Sequence, residues 1–371
     1  MPMPNVSRRE LLIALNAAPE ISRPAAYRLA QELDRWGDAA APADRLAAEI
    51  GVPRAQMRKA LTALETAAAA AARETAAAER VAGRIVTLED AAYPPSLRHL
   101  SPPPPVLYLR GEIPPGPAVA IVGSRRPDAY GQEAAELFAR TLAAAGVTVV
   151  SGFARGIDAA AHRGALAVAD GRTLAVLGCG LGVDYPRGHV RLAAEIAARG
   201  ALVSEFPCAA IPRAWHFPLR NRSLAALTAG TLVVQAATRS GSLITARHAL
   251  DLGREVWAVP GRIFDESSLG ANGLIREGAQ LAQHPTDILE VLLPRAGVPM
   301  PTAAEPPPGS ALEPPSGLAG QVLAEIPPGS TRVAEQIAVR LDVSVDRVLA
   351  TLLELELAGW VKRLPGSVYG R

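Results

Sequence analysis

One stretch of the chain decides the fold: residues 147–158, which read VTVVSGFARGID. Val147–Val150 is a short, continuous apolar run, as is typical of a strand buried on both faces of a sheet. Ser151 and Gly152 interrupt the run, and Ile157 begins a segment with the apolar spacing of a helix. A buried strand that turns through a glycine into a helix is the repeating unit of a parallel α/β sheet.

The same unit recurs along residues 117–292, where apolar strands alternate with helical stretches. The predicted strands are Ala118–Val122, Val147–Val150, Thr173–Leu177, Ala201–Val203, Thr231–Gln235 and Glu255–Val259. The predicted helices are Gln132–Ala145, Ile157–Val168, Val190–Ala198, Arg222–Ala229 and Leu243–Leu252. Strands joined in this way form a mostly parallel sheet with helices on both faces and right-handed crossovers. The predicted fold class is therefore α/β, a Rossmann-like doubly wound sheet.

Changes in composition divide the rest of the chain. Residues 1–80 have the apolar spacing of short helices and end in an alanine-rich tract, which predicts a small helical module of the SAM or helix-hairpin-helix type. Residues 81–292 form the extended Rossmann-like domain, in which the apolar segment after Pro102–Pro105 predicts an edge strand. Residues 293–316 are rich in Pro, Ala and Gly and are interpreted as a linker.

The last region, residues 317–371, has the order of a winged-helix domain. Its predicted helices are Leu318–Ile326, Thr331–Leu341 and Ser344–Leu357. A small hairpin across Pro365-Gly366 is expected to follow them.

Composition excludes several classes of protein. The formal net charge of the 371 residues is only +2, so a case for nucleic acid must depend on local clusters of charge. Cys179 and Cys208 form no CxxC pair or Cys/His cluster, so no zinc site and no cofactor are predicted. The apolar run Leu11–Ala18 is too short to span a membrane, and we expect a cytoplasmic protein without a membrane partner.

Small residues and arginines follow the predicted strands at the edge where doubly wound sheets bind ligands. Glycines let an anion approach backbone N–H groups, helix N-termini favour negative charge, and guanidinium groups pair with phosphate. A phosphate site is the direct interpretation, although glycines also punctuate strand–helix turns in every α/β fold. The candidate residues are Gly123, Ser124, Arg125, Arg126, Ser151, Gly152, Arg155, Ser240, Gly241, Ser242 and Thr245.

Known nucleotide motifs do not fit this pattern. Gly178, Gly180 and Gly182 are not spaced as GxGxxG, and the domain has no lysine for a Walker motif. NAD binding and ATP hydrolysis are therefore disfavoured.

A second basic segment, Trp215–Arg222, places aromatic rings beside guanidinium groups, a combination that stacks bases and holds phosphates. Its alternative interpretation is a helix start with arginines on a solvated face. The candidate residues here are Phe217, Arg220, Asn221 and Arg222, with Trp215 as a second stacking candidate.

Several of these motifs, taken in series over residues 90–290, resemble the DprA/Smf (DNA-processing protein A) family. The motifs are GSRR at 123–126, SGFARGID at 151–158, FPLRNR at 217–222, SGSLITA at 240–246, AVPG at 258–261 and GANGLI at 270–275. The resemblance implies a single-stranded-DNA-binding homodimer that is not an enzyme and that loads the RecA recombinase during natural transformation and repair. It implies DNA contacts at Ser124, Arg125, Ser151, Gly152, Arg155, Arg220, Asn221, Ser240, Gly241 and Ser242. Gln235 departs from the family pattern, which has an acidic residue there.

Two other functions are weighed against this one. Asp158 and His162, four apart on one helix, could orient an acid/base histidine, although a capped helix start with a packed histidine is the alternative interpretation. A nucleoside-phosphate hydrolase of the lysine-decarboxylase-like group would use Glu205 with Asp184. That group's paired-glycine loop is absent, because the corresponding region reads Ser240-Gly241-Ser242.

A duplex reader would use the helix Ser344–Leu357. On this helix one positive residue, Arg347, is outnumbered by three negative ones, Asp346, Glu354 and Glu356. We therefore predict weak duplex binding and a protein-contact role.

Overall fold

The computed structural model describes residues 6–32, 42–293, 315–327, 330–357, 360–364 and 368–370. Contacts within the chain divide it into two compact units, Met1–Pro294 and Arg295–Arg371. Most of the predicted linker, residues 294–314, and the predicted hairpin turn at Pro365-Gly366 lie outside the described residues.

Nine strands in the described part of the first unit form one sheet in the order β1-β2-β6-β5-β4-β3-β7-β8-β9. The strands are β1 (Arg84–Thr87), β2 (Val106–Gly111), β3 (Ala118–Val122), β4 (Thr148–Ser151), β5 (Thr173–Leu177), β6 (Ala201–Ser204), β7 (Gly230–Val233), β8 (Glu255–Ala258) and β9 (Gln280–Leu281). Strands β3 to β9 are parallel, whereas β2 runs antiparallel to both of its neighbours, β1 and β6. The chain moves from β3 outward to β6 and then returns to β7 on the other side of β3. This reversal confirms the doubly wound prediction.

The apolar segment predicted as an edge strand is β2, but it is not at the edge, because β1 pairs along its outer side. The six predicted strands correspond to β3–β8, with each end within two residues of the prediction.

Helices cover both faces of the sheet, as the continuous apolar strands require. Strand β3 alternates strictly: Ala120 and Val122 join the hydrophobic cluster on one face, and Val119 and Ile121 join the cluster on the other. The helices of this sheet are α6 (Ala129–Ala144), α7 (Ile157–Leu166), α8 (Val190–Arg199), α9 (His216–Ala226), α10 (Ser242–Asp251), α11 (Leu269–Arg276) and α12 (Pro285–Leu292).

In the described residues before the sheet the helices are α1 (Arg8–Ala17), α2 (Arg23–Gln31), α3 (Ala43–Ile50), α4 (Arg54–Glu65) and α5 (Ala67–Glu79). Helix α1 begins with a capping box, in which Ser7 and Glu10 satisfy each other's backbone N–H groups. The buried residues of these helices form one hydrophobic cluster with Val106 and Tyr108 of β2. The helices therefore pack on the antiparallel end of the sheet.

The second unit has its own hydrophobic core, which includes Val322, Ile337 and Leu352. Its elements are α13 (Gly317–Ala324), β10 (Thr331–Val333), α14 (Ala334–Leu341), α15 (Val345–Leu357), β11 (Lys362–Leu364) and β12 (Val368–Gly370). The predicted helix Thr331–Leu341 was wrong at its start, because its first three residues form β10, which pairs with β12. Across both units, no helix in the described residues is long and apolar enough to cross a membrane.

Candidate nucleic-acid interface

Two adjoining cavities of about 530 and 210 Å3 open at the carboxyl ends of β3, β4, β5 and β7. Arg125, Gly152, Ala154 and Phe217 line both cavities, so they form one continuous depression, which we call the strand-end groove. It lies where the strand order reverses, the usual ligand position in a doubly wound sheet. Twelve of the fifteen predicted residues line it: Gly123, Arg125, Arg126, Gly152, Arg155, Phe217, Arg220, Asn221, Ser240, Gly241, Ser242 and Thr245.

Four arginines surround the larger cavity: Arg125, Arg126, Arg155 and Arg187. All four are exposed, and none forms a salt bridge among the described residues. Among the described residues, no carboxylate lines this cavity. Unpaired guanidinium groups around an open cavity attract anions, and their planar donors match phosphate oxygens.

Arg187 was not predicted, and it enters the groove beside Tyr185 and Pro186. The signal that would have found it is a basic residue shortly after the glycines at the end of β5.

The turn after β3 is fixed by backbone contacts. The Ser124 N–H donates to the Gln235 carbonyl at 2.7 Å, and the Ser124 hydroxyl accepts the Arg126 N–H at 3.1 Å. A β-carbon at Gly156, whose φ is +79°, would overlap the Ser124 carbonyl oxygen. Ser124 therefore shapes the turn that presents Arg125 and Arg126, and its own side chain does not line the groove.

Gln235, the departure from the family pattern, also supports this turn. Its side-chain oxygen accepts the Asp128 N–H at 3.2 Å, and its amide donates to the Ser267 hydroxyl at 2.8 Å.

The loop after β4 turns inward before it reaches Arg155. The Ser151 hydroxyl is fully buried and donates to the Ile121 carbonyl at 2.6 Å, so this side chain does not line the groove. Phe153 has a φ of +61°, a conformation that costs a non-glycine residue about 1 kcal/mol or more. The Asp158 carboxylate accepts the Ala154 N–H at 3.1 Å and closes the loop.

Helix α9 begins at His216, six residues before the predicted start at Arg222. Pro218 is tolerated because it lies in the first turn, where the backbone N–H groups have no helical partner. Helical spacing then places Phe217, Arg220 and Asn221 on one face, toward the groove.

Arg220 is 4% exposed and donates to the Gly152 and Val176 carbonyls, while its Nε donates to the Asn221 side-chain oxygen at 3.1 Å. Burial lowers the pKa of Arg220, and the nearby Asp158 opposes this shift. Although Arg220 borders the smaller cavity, its donors are directed to backbone carbonyls beneath the groove. Arg220 is therefore positioned to hold the loop after β4 in place.

Arg222 does not line the groove, contrary to the prediction, because it lies on the opposite face of α9. Its guanidinium carbon lies 5.3 Å from the centre of the Tyr27 ring in the N-terminal helices. Phe217 does lie in the groove, with the Arg125 guanidinium 4.9 Å from its ring centre. Trp215 lines neither cavity. Of the two candidate stacking residues, the structure therefore places only Phe217 at the site.

The serine-rich loop after β7 closes the smaller cavity. The Ser240 and Ser242 hydroxyl oxygens are 2.7 Å apart, and Ser242 is the first residue of α10. The Asn221 amide donates to the Gly241 carbonyl at 3.2 Å and ties this loop to α9. The N-terminus of α10, with these hydroxyls beside it, favours a negatively charged group.

The residues considered for catalysis are not brought together at the groove. His162 is fully buried, burial lowers its pKa to about 3, and its Nδ1 lies 2.7 Å from the Thr173 hydroxyl. Glu205 is covered by the N-terminal helices: Tyr27 donates to its carboxylate, and Asn16 donates to its carbonyl at 3.2 Å. Neither residue lines the groove. The described residues also contain no cluster of His, Cys, Asp and Glu that could hold a metal ion.

Comparison with known proteins decides the family. Residues 84–293 match the family DNA recombination-mediator protein A, and residues 305–367 match the DprA winged helix domain. The chain belongs to the DprA/Smf family. It is 43% identical to protein Smf of Escherichia coli over 292 residues, which cover 76% of each chain.

Two solved structures agree with this assignment. DNA processing protein A from Streptococcus pneumoniae is 31% identical and superimposes with a TM-score of 0.65, over 79% of this chain and 99% of that one. The protein from Helicobacter pylori, studied for its single-stranded DNA binding mode, is 31% identical with a TM-score of 0.51, over 57% of this chain and 96% of that one. The strand-end groove lies within the region that matches the DprA/Smf family.

Proposed function

We propose that this chain binds single-stranded DNA in the strand-end groove, without cutting or copying it. The observation that carries the proposal is the set of four guanidinium groups around one cavity, with no salt-bridge partner and no lining carboxylate in the part of the chain that the structure describes. The Helicobacter pylori relative, with its single-stranded DNA binding mode, supports the same ligand.

We expect an extended single strand in the groove, because stacking on Phe217 requires a base that is not paired. Phosphates pair with Arg125, Arg126, Arg155 and Arg187, and a base stacks on Phe217. Because the four arginines have no base-specific geometry, binding is expected to be nearly independent of sequence. The Ser240–Ser242 loop holds a further phosphate at the N-terminus of α10.

The bound strand is then delivered to a RecA recombinase in the cytoplasm, during natural transformation and DNA repair. This step follows from membership of a family of DNA recombination mediators. A homodimer would present two grooves to one strand and so gain affinity from both. We expect the chain itself to need no cofactor to bind the strand.

Binding is tested by the fluorescence anisotropy of a labelled single-stranded oligonucleotide, with unlabelled duplex as competitor. Arg125→Ala is expected to weaken binding about ten-fold, or about 1.4 kcal/mol. Arg140→Ala is the matched control, because Arg140 is an exposed arginine on α6 that does not line the groove. Preference for duplex, or equal affinity of the Arg125→Ala variant and the wild type, would refute the proposal.

Delivery to a recombinase has its own measurement. We expect the wild-type chain to accelerate the DNA-dependent ATPase of RecA on a strand already coated with single-strand-binding protein. Arg125→Ala should lose most of this acceleration and Arg140→Ala should keep it. A chain that binds the strand but leaves the ATPase rate unchanged would contradict delivery while leaving binding intact.

A further inference from the structure

A third cavity, of about 420 Å3, adjoins the strand-end groove and contains none of the fifteen residues predicted to contact DNA. Phe153, Leu177 and Tyr185 line both this cavity and the larger cavity of the groove. The third cavity extends from the end of β5 over β6 and β2, where Leu181 and Leu202 make its floor apolar. A strand that leaves the groove on this side passes over it.

Two guanidinium groups reach the third cavity. Arg80 is exposed just after α5, and Arg110 is half-buried on β2, in register with Leu202 of β6. Neither has an ion-pair partner among the residues described. The exposed carboxylate of Asp184 also lines the cavity, so these side chains carry a net charge of about +1 with histidine neutral. Unpaired arginines beside an open, apolar-floored cavity fit a phosphate attached to a flat apolar group.

The wall between the third cavity and the groove offers a further polar group. The ring of His189 packs edge-on against Phe153, with ring centres 5.4 Å apart. Its Nδ1 atom is buried and has no hydrogen-bond partner within the described ranges. Burial, with a contribution from Arg155, lowers the pKa of His189, so the ring adds no positive charge to this wall near neutral pH.

We propose that the third cavity is a subsite for one further nucleotide of the same DNA strand. Its phosphate lies at Arg80 and Arg110, its base lies on the apolar floor, and the negative charge of Asp184 weakens phosphate binding. This inference rests on the proposed function, since the adjoining nucleotides must occupy the groove. Affinity then depends on strand length, because only a strand long enough to leave the groove reaches Arg80 and Arg110.

The test is anisotropy with labelled oligothymidylates of about 4 to about 16 nucleotides, the range that single-strand-binding folds occupy. The double variant Arg80→Ala/Arg110→Ala is expected to bind the shortest strands like the wild type and the longest about ten-fold more weakly. Asp184→Asn removes a repulsive charge and is expected to tighten binding of the longest strands about two-fold. Arg73→Ala, an exposed arginine on α5 that does not line the cavity, is the matched control and should bind like the wild type.

Each outcome of these measurements either supports or overturns the proposed subsite. Equal affinity of the double variant and the wild type for long strands overturns it, and so does an equal loss at every length, which would place the effect in the groove. If the double variant does not fold, Asp184→Asn still decides, because no gain with long strands also overturns the subsite. Failure of the proposed function has a different signature, in which Arg125→Ala binds strands of every length as tightly as the wild type.

Discussion

The strand-end groove and helix α15 of the second unit are the two candidate DNA-binding regions considered for this chain. They differ in how their charges are arranged. Around the larger cavity of the groove, four arginines are unopposed by any lining carboxylate. On α15, the single arginine, Arg347, follows Asp346 directly, and Glu354 and Glu356 lie two and more turns further on. Both regions contain exposed arginine, but only the groove concentrates positive charge.

The difference shows why net charge is a poor guide to nucleic-acid binding in this chain. A formal charge of +2 over 371 residues describes neither region. Phosphate binding depends on cations close enough to displace counterions from the same few nucleotides. The groove meets that condition because strand ends and loops distant in sequence converge there, whereas α15 displays its charges in sequence order along one helix.

Charge reversal in the groove is the most severe test of the difference between the groove and helix α15. Arg125→Glu/Arg155→Glu replaces two phosphate-binding cations with anions, so we expect affinity for a single strand to fall at least 100-fold, about 2.7 kcal/mol or more. Arg73→Glu/Arg140→Glu, two exposed arginines on α5 and α6 that do not line the groove, is the matched control for the change in net charge. Anisotropy at fixed ionic strength measures the affinity of both variants for the strand. A loss of similar size in the control would show that the effect comes from net charge and not from the groove.

The salt dependence of affinity tests the comparison quantitatively, because its slope reports how many phosphates the chain neutralises. Each phosphate neutralised on a single strand contributes about 0.7 to the slope of log affinity against log salt, so the four guanidinium groups of the groove predict a slope near −2.8 for a strand too short to reach Arg80 and Arg110. Arg125→Ala is expected to reduce the slope by about 0.7. Truncation after residue 293 should leave the slope unchanged, since α15 is not expected to contribute. A slope that falls on truncation instead would assign phosphate contacts to the second unit.

The two units should also respond differently to pH, because all six histidines lie in the first unit. The pKa of buried His162 is about 3 in the folded protein, below the value of about 6.5 in an unfolded chain. As pH falls below 6.5 the unfolded chain binds this proton first, so the free energy of unfolding decreases by up to about 1.4 kcal/mol per pH unit. Between pH 6.5 and 5 the loss is about 1.6 kcal/mol.

Melting curves across this pH range measure the effect, with His162→Gln as the matched variant, because glutamine can keep a hydrogen bond to Thr173 but does not titrate. The variant should lose much of the pH dependence of the first unit. Burial also lowers the pKa values of His189 and His248, so some dependence should remain. Identical pH profiles for the variant and the wild type would show that His162 is not responsible.

The sequence predicted the strands and the location of the groove well, because buried parallel strands are continuous apolar runs and their glycine turns follow at once. It predicted helix α9 poorly. Trp215 precedes the helix without a capping side chain, and Pro218 lies inside it, so the usual start signals are missing. The error mattered, since helical spacing from His216 places Arg220 under the groove and turns Arg222 away from it.

The sequence could not predict the positions of residues that are held by partners far away along the chain. Nothing local to Ser151 shows that its hydroxyl is taken up by the Ile121 carbonyl, and nothing local to Glu205 shows that Tyr27 covers it. Arg187 was missed because it enters the groove from a loop without a recognised motif. Pairing of β10 with β12 likewise overrode the helical pattern from Thr331 to Val333.

The smallest expected effect is a gain of function on α15, and it tests the comparison from the other side. Asp346→Arg/Glu354→Arg converts the exposed surface of this helix from net negative to net positive, so weak duplex binding should appear, with a gain of about ten-fold or less over the wild type. The gain is limited because replacing Asp346 also removes a favourable charge from the first turn of the helix. Electrophoretic mobility shift with a labelled duplex measures it, and Asp346→Asn/Glu354→Gln is the neutral control. Tight duplex binding by the wild type would mean that the balanced charges of α15 do not prevent recognition, and that the groove is not the main nucleic-acid site.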